Sequence, residues 1–139
     1  MTHGFRTFDH TADIGLEIWG EDFNSIFEEA ASGLFSLITD PASVEPKEQF
    51  EINIEADGGE ALLLLWLKEL LFIFETKRIA FSKFQIKELT FHHLKALVFG
   101  EPINLIKHPA GREVKAVTHH QFEFEKTPNG FKARVILDI

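Results

Sequence analysis

The chain has no cysteine, which excludes a disulfide framework, a thiolate zinc site and a cysteine nucleophile. It has no tyrosine either, and a single methionine, against 15 phenylalanines. That much aromatic surface points to an aromatic core and needs no ligand to explain it. Long hydrophobic runs are missing as well. The longest, Ala61–Leu67, is far short of the roughly 20 residues that cross a bilayer. The opening residues Met1–Thr11 are polar and include Asp9 and His10, so no signal peptide is expected there. Gly-x-Gly-x-x-Gly, P-loop, Gly-x-Ser-x-Gly and His-Glu-x-x-His signatures are all absent. What remains, 139 residues at 45% hydrophobic and 26% charged, has the size and composition of one ordered domain, 1–139. A soluble, cytoplasmic protein is the expectation.

Each half of the chain is short of charge of one sign. Residues 1–75 carry 3 Lys+Arg against 16 Asp+Glu, a balance of −13, whereas residues 76–139 carry 11 against 6, a balance of +5. The acidic half disfavours broad coating of DNA or RNA, because phosphate contacts need dense positive charge. The basic half leaves two readings open: strands with solvated lysines, or a face turned toward RNA or an acidic partner.

Periodicity sets out the elements. Phe5–Phe8 and Ile14–Trp19 read as short strands, the second alternating Ile14, Leu16 and Ile18 on one face. Phe23, Ile26, Phe27, Ala30, Leu34, Leu37 and Ile38 recur at helical spacing behind a capping Asp22, and Asp40-Pro41 ends that helix. Phe50–Ala56 alternates as a half-buried strand. Glu60–Glu75 is apolar on nearly every side, which predicts a central core helix with Glu60, Lys68, Glu69 and Glu75 on a narrow exposed strip. Strands are then expected at Phe84–Phe91, Leu94–Phe99, Val114–His119, Phe122–Lys126 and Phe131–Leu137, with Glu101–Glu113 a longer loop and Pro128-Asn129-Gly130 a hairpin turn. Two main helices packed on a mostly antiparallel system of about eight strands make the chain α+β.

Few residues could carry chemistry. The pairs His92-His93 and His119-His120 cannot chelate one ion from a regular strand, whose successive side chains point to opposite faces, so they read as surface or hairpin histidines. Asp9-His10-Thr11-Ala12-Asp13 packs two carboxylates, a hydroxyl and an imidazole between two strands, either as backbone-capping Asx turns or as part of a site. The last strand stops at Asp138-Ile139 without a polar tail, which fixes the Asp138 side chain and the Ile139 α-carboxylate at one point. Hard oxygen donors of this kind suit Ca²⁺, Mg²⁺ or Mn²⁺. If the Asp9–Asp13 segment meets that end, the carboxylates must bind a cation or repel one another. Spacing alone does not bring the two together.

Asp9-His10-Thr11-Ala12-Asp13-Ile14-Gly15-Leu16 resembles the opening motif of the archease family. Glu60–Glu75, Glu113–Thr118 and the ending Val135-Ile136-Leu137-Asp138-Ile139 are similar to further archease landmarks in the same order, over essentially the whole chain. One departure is visible: His119-His120 stands where the family usually has Tyr-His. The resemblance implies a helper protein rather than a catalyst, one that promotes guanylylation and multiple turnover of an RtcB-type RNA ligase in tRNA splicing and RNA repair. It implies a divalent ion, usually assigned as calcium, held by Asp13, Asp138 and the Ile139 carboxylate. It marks Lys115 and Asp13 for activation, with Asp9 and His10 in support. The implied partner is the ligase, with RNA met only through it and no part for DNA or a membrane. Two rival classes stand beside this one. A small metal-dependent phosphodiesterase or nuclease lacks an evident second metal site and base, and a general chaperone or RNA-binding module lacks exposed aromatic interleaving.

Overall fold

The computed structural model describes residues 2–10 and 13–139, with His10 described by its backbone alone. Thr11 and Ala12 of the opening motif, and the His10 side chain, lie outside the described residues. The elements run β1 (Gly4–His10), β2 (Asp13–Gly20), α1 (Phe23–Ile38), β3 (Glu48–Glu55), α2 (Gly59–Lys77), β4 (Ile79–Leu89), β5 (His93–Pro102), β6 (Ala116–Val117), β7 (Glu123–Thr127) and β8 (Gly130–Asp138). They form two antiparallel sheets: a five-stranded one ordered β1-β2-β8-β6, with β7 also paired to β8, and a three-stranded one ordered β3-β5-β4. α1 packs on β2 and β4, and α2 on β6 and β3, so both helices lie between the sheets. The fold is α+β, as expected.

Local chemistry explains the helices. The Asp22 carboxylate accepts the Ser25 N–H at 2.7 Å and starts α1. Ile26, Phe27, Ala30, Leu34 and Phe35 then face inward with no exposed surface. Because α2 is covered on both sides, its sequence is apolar almost all round, and Leu62, Leu63, Trp66, Leu67 and Leu70 are fully buried. Trp66 satisfies its one polar atom by donating Nε1–H to the Phe27 carbonyl at 2.8 Å, which ties the helices together. The exposed strip of α2 is less polar than expected, since Leu65 and Phe72 share it at 40% and 59% exposure. Phe35 meets Phe74, Phe81 and Phe84 edge-on or tilted, so the phenylalanines do build an aromatic core.

Several boundaries differ from expectation; β5, for one, runs on to Pro102, so that Glu101 and Pro102 of the expected loop lie in a strand. β4 starts at Ile79 rather than Phe84, because a bulge between Phe81 and Lys83 breaks the alternation that marks a strand. The segment expected as a strand over Val114–His119 pairs regularly only at Ala116–Val117. The second helix runs on to Lys77, where Arg78 closes it in a left-handed conformation (φ 55°). Among the described residues no helix is long and apolar enough to cross a membrane.

Candidate functional site

The pairing of β2 with β8 sets Asp13 directly opposite Asp138, and β6 adds Ala116 opposite Asp138 from the other side. The Lys115 N–H donates to the Asp138 carbonyl at 2.7 Å, which fastens that residue to the same strand end. Ile139 follows one position beyond. The segment around Asp13 and the last residues of β8 therefore do meet, at one corner of the five-stranded sheet, with His10 at the register position opposite Asp13. Directly opposed residues of an antiparallel pair project to the same face, so Asp13 and Asp138 share one. Ile14, Leu16, Val135 and Leu137 occupy the other face and are buried against the helices. Asp9 pairs with Ile14 and so alternates to the face opposite Asp13.

The outer face beside the two aspartates is held by packing rather than by a helix. Phe8 lies across Gly15, where an added Cβ would come within 1.9 Å of the ring. Arg134 stacks on that ring, its guanidinium carbon 4.3 Å from the centroid. Further along, Glu17 takes Arg6 at 3.2 Å and Lys132 at 3.7 Å. Lys115 turns to the helix side instead. It lines a cleft of about 400 Å³ bounded by Ile38, Phe74, Arg78, Ile103 and Leu105, and a second, shallower one against Leu65 and Phe72 of α2. The corner thus presents two carboxylates on one face and an ammonium group on the other.

Residues 5–139 match the sequence profile of the archease protein family. An archease from Methanothermobacter thermautotrophicus is 42% identical over 139 residues, which cover 98% of this chain and 99% of that one. The chain belongs to the archease family. Another archease, from Methanosarcina mazei, is 39% identical over 97% of this chain and 95% of its own. A solution structure of a Methanobacterium thermoautotrophicum protein matches with a TM-score of 0.82 at 40% identity, over 98% of this chain and 99% of that one. The crystal structure of an archease from Thermotoga maritima matches over 100% of both chains with a TM-score of 0.67; at 23% identity that likeness bears on the fold alone.

In this archease the donor chemistry of the corner fits a hard divalent cation. Asp13 and Asp138 offer carboxylate oxygens from directly opposed strand positions. Among the described residues no three His, Asp or Glu side chains are placed to hold a metal between them. Of the sequence-predicted ligands Asp13, Asp138 and the Ile139 carboxylate, the structure sets Asp13 and Asp138 on directly opposed positions, with Ile139 next along the chain. The paired histidines are used locally: the His92 ring meets the Ala56 carbonyl at 3.3 Å and the His93 ring meets Asn53 Oδ1 at 2.6 Å. His119 and His120 are exposed in the turn before β7.

Sequence reasoning missed a polar cluster beneath the 103–115 segment. Glu101, near the end of β5, and His108, in the loop that follows, are 6% and 1% exposed. His108 Nδ1 accepts the Asn104 N–H at 2.8 Å, so the proton sits on Nε2, which donates to Glu101 at 3.0 Å. Glu101 also accepts the Glu45 N–H at 2.7 Å and meets the Lys107 ammonium at 2.8 Å. These donors, the Glu45 N–H first and Lys107 next, outweigh burial and hold its carboxyl at about 2. No spacing rule marks these residues. The one available signal was Leu105-Ile106, an apolar pair in a stretch that fits neither helix nor strand.

Proposed function

We propose that this archease activates an RtcB-type RNA ligase, promoting its guanylylation and repeated turnover in tRNA splicing and RNA repair, and does no bond chemistry itself. The observation that supports this reading is the convergence of Asp13, Asp138 and Lys115 on one sheet corner, from segments far apart in the chain. Packing alone does not ask for it. Like charges on directly opposed strand positions cost stability and are kept where a cation or a partner uses them. Asp13, Asp138 and the Ile139 carboxylate are the residues that would hold the ion, Ca²⁺ in a crystal and Mg²⁺ or Mn²⁺ as alternatives. When bound, it supplies positive charge with open coordination positions for oxygen atoms of the ligase or its nucleotide. Lys115, on the other side of the corner, is a point charge for a phosphate or carboxylate. Since the two groups flank one strand end, the ligase embraces the corner rather than resting on a face.

The test is multiple-turnover ligation. An RtcB-type ligase is given excess RNA with 2′,3′-cyclic-phosphate and 5′-hydroxyl ends, GTP and Mn²⁺, with and without the archease. The expected result is more guanylylated ligase and many turnovers per ligase molecule, lost with Asp13→Ala, Asp138→Ala and Lys115→Ala. No effect on a cognate ligase overturns the reading. Release of nucleotides by the archease alone would favour a nuclease.

A further inference from the structure

The turn Asn104–His108 is pinned tightly and yet holds apolar side chains out to water. The Asn104 carbonyl accepts the N–H of Lys107 at 3.0 Å and of His108 at 2.6 Å. Asn104 Oδ1 accepts the Ile106 N–H at 2.9 Å, and the buried His108 ring anchors the base of the turn on Glu101. Beyond it, Thr39 Oγ1 donates to the Pro109 carbonyl, and the N–H groups of Gly111 and Arg112 donate to the carbonyls of Ile38 and Leu37. Leu105 and Ile106 at the tip are nonetheless 74% and 98% exposed. A slack loop would fold such residues down; this one is fixed with them pointing outward, which is how a preorganised contact is built.

The surroundings narrow the occupant. Below Leu105 lies the cleft of about 400 Å³, where Arg78, Arg112 and Lys115 stand against Glu75 and Glu113. None of these five takes part in an ion pair among the described residues, and the balance is positive in a chain of net charge −8. Arg78 is steadied by stacking on Phe74, 4.5 Å from guanidinium carbon to ring centroid. Exposed Phe72 and Leu65 carry the apolar surface on along α2, through the neighbouring cleft that shares Glu75 and Lys115. A two-fold contact with a second copy would set these cations against themselves. Single-stranded RNA would meet two carboxylates and an aliphatic tip that cannot stack on bases.

We propose that the Leu105–Ile106 tip and the cationic cleft below it form a docking surface for a protein partner whose matching segment offers an apolar depression flanked by carboxylates. The inference rests on the reading of the chain as a ligase activator, and it gives the ligase this contact in addition to the corner.

The experiment uses the full chain and an immobilised RtcB-type ligase, reading direct binding and the archease concentration that half-activates guanylylation. Leu105→Ser/Ile106→Ser and Arg78→Glu/Arg112→Glu should each raise both values about ten-fold or more while activation at saturation stays at the parent level. Ile106→Ser alone, at a nearly fully exposed position, guards against a folding defect. Lys126→Glu, on β7 beside the end of β8 far from the corner, should change neither value. Unchanged binding by the tip and cleft variants overturns the proposal. So does a tip variant that splits a dimer of this chain in sedimentation, or one that weakens RNA retention in place of ligase binding. If the parent binds the ligase but does not activate it, the activator reading falls and the binding data still decide the docking surface; if it does not bind, both fall.

Discussion

Asp13 and Asp138 stand opposed on neighbouring strands, where two like charges work against the sheet. Removing the Asp138 charge should therefore not destabilise the bare protein. Asp138→Asn is expected to melt no lower than the parent in the presence of a chelator; calcium is expected to raise the melting temperature of the parent and to raise that of the variant less. A lower melting temperature in chelator would make the pair a structural element rather than a charged site. Gly15 carries a different constraint, since any Cβ there drives the Phe8 ring off β2 and takes away the surface on which Arg134 stacks. Gly15→Ala should destabilise by about 1–3 kcal/mol, read as a lower urea midpoint. Both aspartates were legible in the sequence by type and position, one in a crowded acidic segment and one at a strand end. Their meeting was not, because it depends on pairing between opposite ends of the chain, which no local period encodes. The same register, once known, sends Asp9 to the face away from them.

Among the elements, the 103–115 segment has the most to do with the corner, since it runs from β5 to Lys115 and forms one wall of the cleft. It forms almost no regular structure of its own and is held by bonds to the end of α1 and by Glu101, to which Glu45, Lys107 and His108 all donate. Because these donors lower the Glu101 carboxyl from 4.5 to about 2, the stabilisation is fully present above 4.5 and is lost as pH falls from there toward about 2. Glu101→Gln should flatten that part of the pH profile, measured as urea midpoints from neutral pH downward, and lower the midpoint at neutral pH. An unchanged slope would show that the segment is held by its backbone bonds alone. Helices and regular strands were legible here because their periods are strong. The early part of β4 was not, because the extra residue between Phe81 and Lys83 resets the alternation. β6 was over-read for the opposite reason: Val114, Ala116 and Val117 look strand-like, but only two residues pair before the chain turns through His119 to Gln121.

Viewed whole, the chain is closed by its last strand. β8 lies inside the five-stranded sheet, between β2 and the β6 and β7 pairings, so the two ends of the sequence are neighbours and their opposite charge balances interleave, as where Glu17 meets Lys132. Two changes at this end should behave very differently. Deleting residues 135–139 removes Val135, Ile136 and Leu137, none of which has any exposed surface. At about 1.5–3 kcal/mol each, their loss consumes much of the roughly 5–15 kcal/mol that holds a domain together, and no cooperative unfolding transition should remain. A short Gly-Ser tail after Ile139 adds residues only beyond the last paired position, Asp138, so the melting temperature without divalent ions should match that of the parent. The tail does, however, convert the Ile139 α-carboxylate into a neutral amide and moves the terminal charge away from the two aspartates. Calcium should then raise the melting temperature less than it does in the parent, and ligase activation should fall with it. If the tailed protein binds calcium and activates as the parent does, the terminal carboxylate is not a ligand, and an ion at the corner would have to be held by Asp13 and Asp138 with oxygen atoms that the ligase brings.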